Sequence, residues 1–105
     1  MNLGGIKVSS AEIERVLQAV PGVVETAAIA VSPGGGPSQL VIYAVCAADA
    51  PVDKSNLAAA LQSAIKRELN PLFRIHDVVV ADALPRTASN KVMRRVIRDH
   101  YLAQA

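Results

Sequence analysis

Near the C-terminus, Leu84-Pro85-Arg86-Thr87-Ala88-Ser89-Asn90-Lys91 gathers a lysine, an arginine, two small hydroxyl residues, a proline and an asparagine. A hydrophobic run, Val78 to Ala81, leads into it, and a basic amphipathic run, Val92 to Tyr101, leads out. The last helix is expected to start near Ser89, which puts Lys91 at the helix end where a cation is electrostatically unfavourable. Charge retained at such a place points to use. The competing reading is a solvated surface lysine.

Other reactive side chains are sparse. His76 and His100 are isolated, with no metal-ligand spacing around them, and both read as structural. Ser9 and Ser10 have no sequence-visible His or Asp partner, so capping explains them better than nucleophilic catalysis. The single cysteine, Cys46, lies in an apolar run and reads as a buried thiol suited to a reducing cytosol.

The elements that must hold the lysine follow from the pattern. Gly4-Gly5 suggests a tight turn. Ser9 and Glu12 form a capping box, and Ile13, Val16, Leu17 and Val20 make the apolar stripe of a helix that Pro21-Gly22 stops. Val23 to Val31 reads as a strand, Pro33 to Ser38 as a flexible loop, and Leu40 to Ala47 as a central strand covered on both faces. The two strands are expected to pair antiparallel. Asp53 caps a second helix with a stripe of Leu57, Leu61, Ala64, Ile65 and Leu69, ended by Asn70-Pro71. Ile75 to Ala83 supplies a third strand. The last helix shows Met93, Val96, Ile97, His100 and Tyr101 on one face, with Arg94, Arg95 and Arg98 as a solvated face or a contact for another domain. The predicted fold is α/β (α+β): a small three-stranded mixed sheet flanked by about three helices, with an N-terminal glycine turn.

The chain's 105 residues suit one domain, and its 51% hydrophobic content suits a real core. Aromatics are only 3%, so that core must be aliphatic. A net charge of +2 and the lack of aromatic stacking platforms argue against nucleic acid. No apolar run approaches the roughly 20 residues needed to span a bilayer. No signal peptide or address tag is expected, so the cytoplasm is the expected location. Met1 fits either a native start or the edge of an excised segment.

Three stretches together resemble the C-terminal domain of the adenylate-forming superfamily, which comprises acyl-CoA synthetases, peptide-synthetase adenylation domains and beetle luciferase. They are Gly5-Ile6-Lys7-Val8-Ser9-Ser10-Ala11-Glu12-Ile13-Glu14, then Leu69-Asn70-Pro71, then Leu84 to Arg95, similar to the family's Pro-Lys-Thr-x-Ser-Gly-Lys-x-x-Arg run. Asn90 stands where the family usually has glycine, and Asn tolerates left-handed backbone angles. The family's hinge residue and large N-terminal domain do not occur in this sequence. The resemblance implies that residues 1–105 are a mobile lid of an acid–thiol ligase that does not turn over alone. The ligase converts carboxylate, ATP and CoA to acyl-CoA, AMP and pyrophosphate. Lys91 matches the adenylation lysine, supported by Pro85, Arg86, Thr87, Ser89 and Asn90. Gly5 and Lys7 match positions along the pantetheine tunnel, and Lys66, with Arg67 beside it, a position that meets CoA phosphates. ATP and CoA are implied as substrates, with Mg2+ held by the N-terminal domain and no metal here. A lysine acetyltransferase acting on Lys91 is a further implied partner. Two alternatives stay open: a peptide-synthetase lid that serves a carrier-protein thiol, and a stand-alone basic binding module.

Overall fold

A computed structural model describes residues 2–3, 6–32, 35–36, 38–47 and 53–104. The Gly4-Gly5 turn lies outside the described residues. The strands on either side of it, β1 (Asn2–Leu3) and β2 (Ile6–Lys7), pair antiparallel with Asn2 opposite Lys7.

Helix α1 spans Ser10–Leu17. The Ser9 hydroxyl accepts from the Glu12 amide at 3.1 Å, as a capping box requires. The reciprocal contact differs from expectation: the Glu12 carboxylate accepts from the Ser9 hydroxyl at 3.4 Å, not from its amide. Past the helix, Gly22 takes a φ of 85° and turns the chain into β3 (Val23–Val31). Its neighbour β4 (Gln39–Cys46) runs antiparallel, with Ala28 opposite Ile42. A register shift between Val23 and Glu25 marks a bulge at the start of β3, a device that re-aims the side chains that follow.

Helix α2 (Lys54–Glu68) is the crossover to β5 (Ile75–Val80), which lies parallel to β4 with Val78 beside Ile42. The order β3-β4-β5 makes β4 central, and Leu40 through Val45 are all buried, as the continuous apolar run implies. The Asp53 carboxylate caps α2, accepting from the Ser55 amide at 2.9 Å and the Asn56 amide at 3.3 Å. Asp53→Ala is expected to cost about 1 kcal/mol, checked by urea unfolding of the chain. In the second half of α2, Gln62 makes contacts that the sequence does not advertise. Its amide donates to the Phe73 carbonyl at 2.8 Å and accepts from the Ile75 amide at 2.6 Å, fixing where β5 begins.

Each face of the sheet carries an aliphatic cluster. Ile13 and Leu17 of α1, with Leu61, Ala64 and Ile65 of α2, cover Leu40, Ile42 and Val78 on one side. On the other, Leu84 and Ile97 cover Ala27, Ile29, Val31, Val41 and Tyr43. Ile97 belongs to α3 (Arg94–Gln104), so helices flank both faces.

Three expectations need correction. Helix α3 begins at Arg94, not near Ser89, because the residues between are used in a hairpin. Its buried face is narrower than the spacing implies: Ile97 is buried and Tyr101 half-buried, whereas Val96 and His100 are exposed. Tyr101 turns its hydroxyl to donate to Asp77 at 3.0 Å, and its ring meets Tyr43 edge-on. Burial raises the pKa of both phenols above the ordinary tyrosine value, and the Asp77 charge adds to the effect. Cys46, at the end of β4, is half-buried rather than sealed in the core.

Candidate functional site

The residues from Arg86 to Val92 form a small hairpin, closed by an antiparallel bridge between those two positions. The Asn90 amide donates to the Thr87 carbonyl at 2.9 Å, and the Thr87 amide donates to the Lys91 carbonyl at 2.9 Å. That pattern is a turn followed by one left-handed residue, the three-residue hairpin solution. Asn90 is that residue, with a φ of 68°. The conformation explains why glycine or asparagine suits the position. Asn90→Gly should change stability by less than about 0.5 kcal/mol, whereas Asn90→Val should cost about 1–2 kcal/mol, read from unfolding midpoints.

The hydroxyl residues serve this turn rather than a helix cap. The Thr87 hydroxyl accepts from the Lys91 amide at 3.1 Å and shares a hydrogen bond with the Ser89 hydroxyl at 3.0 Å. The Met93 amide donates to the Pro85 carbonyl at 2.9 Å, and α3 then opens with the Ile97 amide on the Met93 carbonyl. Lys91 therefore stands on a hairpin ahead of the helix, and the expected clash of its charge with a helix end does not arise. The cations at that end are Arg94 and Arg95.

Two acidic residues that sequence reasoning gave no functional role grip the two sides of the hairpin. Glu14 of α1 receives both Arg94 Nε, at 2.8 Å, and Arg94 Nη2. Its Oε2 also accepts from the Ala28 amide of β3 at 2.8 Å. One carboxylate thus joins α1, the edge strand and the start of α3 across the rim of the sheet. The hydrogen bond with Glu14 raises the Arg94 pKa, securing its charge. Arg94 is consequently not part of a solvated face, while Arg95 and Arg98 are exposed. On the other arm of the hairpin, Arg86 pairs with Glu25 of β3, just past the bulge. The available signals were slight: Glu25 is the one charge within an apolar strand, and Glu14 repeats Glu12 on the same short helix.

Lys91 itself is exposed, and among the described residues its ammonium has no hydrogen-bond or ion-pair partner. Lys66 and Arg67 are exposed in the last turn of α2, where Arg67 meets Glu68 at 3.1 Å. Lys7 is exposed next to Val8, which packs into the cluster under α1 and α2. Leu84 and Val92, flanking Lys91, pack into the opposite cluster. The candidate residues therefore divide: Lys7, Lys66 and Arg67 go with one face of the sheet, Lys91 with the other. Gly5 lies outside the described residues. Among those described, no group of three His, Cys, Asp or Glu could hold a metal ion, and no helix is long and apolar enough to cross a membrane.

Residues 12–91 match the model of the AMP-binding enzyme C-terminal domain family. The chain is 50% identical to hexanoyl-CoA synthase of Cannabis sativa over 105 residues, covering 96% of this chain and 15% of that protein. It is 54% identical over 102 residues to the Arabidopsis thaliana protein named probable acyl-activating enzyme 17, peroxisomal, covering 93% and 14%. Acetyl-coenzyme A synthetase of Mycobacterium tuberculosis is 37% identical over 100 residues, covering 94% and 15%. Among solved structures, MatB of Rhodopseudomonas palustris superposes with a TM-score of 0.81 at 30% identity, covering 96% of this chain and 19% of that one. The acyl-CoA synthetase of Brucella canis shares the fold, with a TM-score of 0.87 at 20% identity over 98% and 19%. The chain thus spans about one-seventh of the length of the curated relatives it matches.

Proposed function

Because the chain belongs to the family of AMP-binding enzyme C-terminal domains, we propose that it acts as the lid of an ATP-dependent, AMP-forming acyl-CoA synthetase. Its partner would be a large domain that binds ATP and the acid. The observation that carries this reading is the division of the candidate residues between the two faces of one sheet. A ligase that first makes an acyl-adenylate and then a thioester needs two different sets of side chains in turn. A lid that presents the Lys91 hairpin for the first step and, after rotation, the opposite face for the second supplies both.

In the first step a carboxylate oxygen attacks the α-phosphorus of ATP, and pyrophosphate leaves. Negative charge gathers on the equatorial phosphate oxygens and on the oxygen of the leaving pyrophosphate. Lys91, whose ammonium is not committed to an internal partner among the described residues, would meet that charge. In the second step the CoA thiol attacks the acyl carbon and AMP leaves. Gly5 and Lys7 would line the path of the pantetheine arm, and Lys66 and Arg67 would meet the CoA phosphates. Mg2+ accompanying ATP would be held by the large domain. The names of the relatives favour CoA as the thiol over a carrier protein. The exposed Lys91 is open to acetylation, which would remove its charge and stop adenylation. A free thiol at Cys46 suits a reducing compartment, and we place the enzyme in the cytoplasm.

The experiment is to exchange this chain for the C-terminal segment of the M. tuberculosis acetyl-coenzyme A synthetase. Recovery of both half-reactions, well above the truncated large domain, is the expected result. No recovery, together with tight oligonucleotide binding by the chain, would overturn the reading in favour of a basic binding module.

A further inference from the structure

The hairpin that carries Lys91 is exposed, yet the peptide group preceding that residue is engaged at both its amide and its carbonyl, and the Lys91 carbonyl is engaged as well. The Lys91 amide donates to the Thr87 hydroxyl, and the Lys91 carbonyl accepts from the Thr87 amide. On the same peptide plane as the Lys91 amide, the Asn90 carbonyl accepts from Arg86 Nη1 at 3.1 Å. The same guanidinium uses Nη2 to bind the Glu25 carboxylate. The two side chains are 32% and 27% exposed, so the pair is partly shielded from water. Glu25 in turn is held by the sheet, with its register partner Val45 on the central strand.

We propose that Arg86 is a positioning residue for the adenylation step: it ties the peptide plane preceding Lys91 to the sheet through Glu25, and so sets the direction in which the lysine leaves the hairpin. The inference rests on the reading of Lys91 given above. Its physical basis is the fork geometry of the guanidinium, which holds two acceptors in fixed directions at once. Asn90 is in the left-handed region, which is disfavoured for a residue with a side chain, so the turn draws its order from the hydrogen bonds around it. The hairpin has few core contacts beyond Leu84 and Val92, so its order depends on these polar ties. A lysine that samples several directions spends less of its time on the reacting phosphate, which lowers the rate without weakening substrate binding.

The test compares Arg86→Met, Arg86→Lys and Glu25→Gln in two settings. In the chain alone, Arg86→Met should speed amide exchange of Thr87 and Lys91 about tenfold, with α2 amides unchanged. In the exchanged synthetase, Arg86→Met should lower kcat for acyl-adenylate formation about tenfold, with KM for ATP and thioester formation from supplied acyl-adenylate within about twofold. Glu25→Gln should give a smaller fall of the same kind, and Arg86→Lys should recover most of the rate by keeping a cation on Glu25. Unchanged exchange at Thr87 and Lys91, a uniform rise across the chain, or equal loss of both half-reactions would overturn the proposal. A Lys91→Ala variant run alongside separates the two ideas. If it keeps full adenylation, the reading of Lys91 fails; if it loses adenylation while Arg86→Met does not, only the positioning role fails.

Discussion

Lys91→Ala is expected to slow acyl-adenylate formation by about 10²–10³-fold in a synthetase that carries this chain, and to leave thioester formation from supplied acyl-adenylate nearly untouched. The magnitude is that of removing one fixed charge-stabilising donor from a closed site. The asymmetry follows from the architecture. The hairpin flanked by Leu84 and Val92 belongs to one face of the sheet, and Lys7, Lys66 and Arg67 go with the other. On the proposed reading, the two sets meet the substrates in different steps. Separate assays of pyrophosphate release and thioester formation decide the matter, and parallel losses in the two would remove Lys91 from its role. The fold should not suffer, because the side chain is exposed and unpaired among the described residues.

Glu14→Ala is expected to destabilise the chain by about 2–3 kcal/mol, lowering Tm by about 10 °C. Three groups lose their partner at once. The Ala28 amide, on a residue with no exposed surface, loses its acceptor. Arg94 loses both hydrogen bonds that bring it against α1. The Arg94 side chain is 40% exposed, and water recovers part of that loss, which keeps the figure below that of a fully buried pair. Glu14→Gln keeps an acceptor for Ala28 and should cost about half as much. Urea unfolding of the three proteins measures the series. A Glu14→Ala chain as stable as the parent would show that the carboxylate does not join the two faces.

Local chemistry was legible in the sequence; pairings across the chain were not. Ser9 and Asp53 announced their helices because a cap lies within three residues of the amide it serves. The apolar run at Leu40 announced a central strand because burial on both faces leaves no room for alternation. The motif ending in Lys91 was legible as a motif, and the left-handed role of Asn90 followed from its type. The start of α3 was misplaced because Thr87 and Ser89 resemble capping residues and only the fold shows their hydroxyls turned into the hairpin. Glu14 and Arg94 stand 80 residues apart, and Glu25 and Arg86 stand 61 apart. No periodicity links such partners; the sheet does so by bringing β3 beside the returning chain. Arg94 was read as solvated for the same reason, since helical spacing alone put it on the outer face.

The parallel pairing of β4 with β5 also sets an order of assembly. A hairpin of β3 and β4 can close early, since its strands are near neighbours in the chain. Its inner strand then carries apolar residues on both faces and one unpaired edge until Ile75–Val80 has been made and has crossed over. During that interval the nascent chain is at its most prone to stick to other chains. Helix α2, capped by Asp53, can shield one face as soon as it forms. The other face waits for Leu84 and Ile97, which bracket Lys91 in the sequence. The segment proposed to bear the chemistry is therefore also the last cover laid over the core, and synthesis must run past Lys91 before both faces of the sheet are covered.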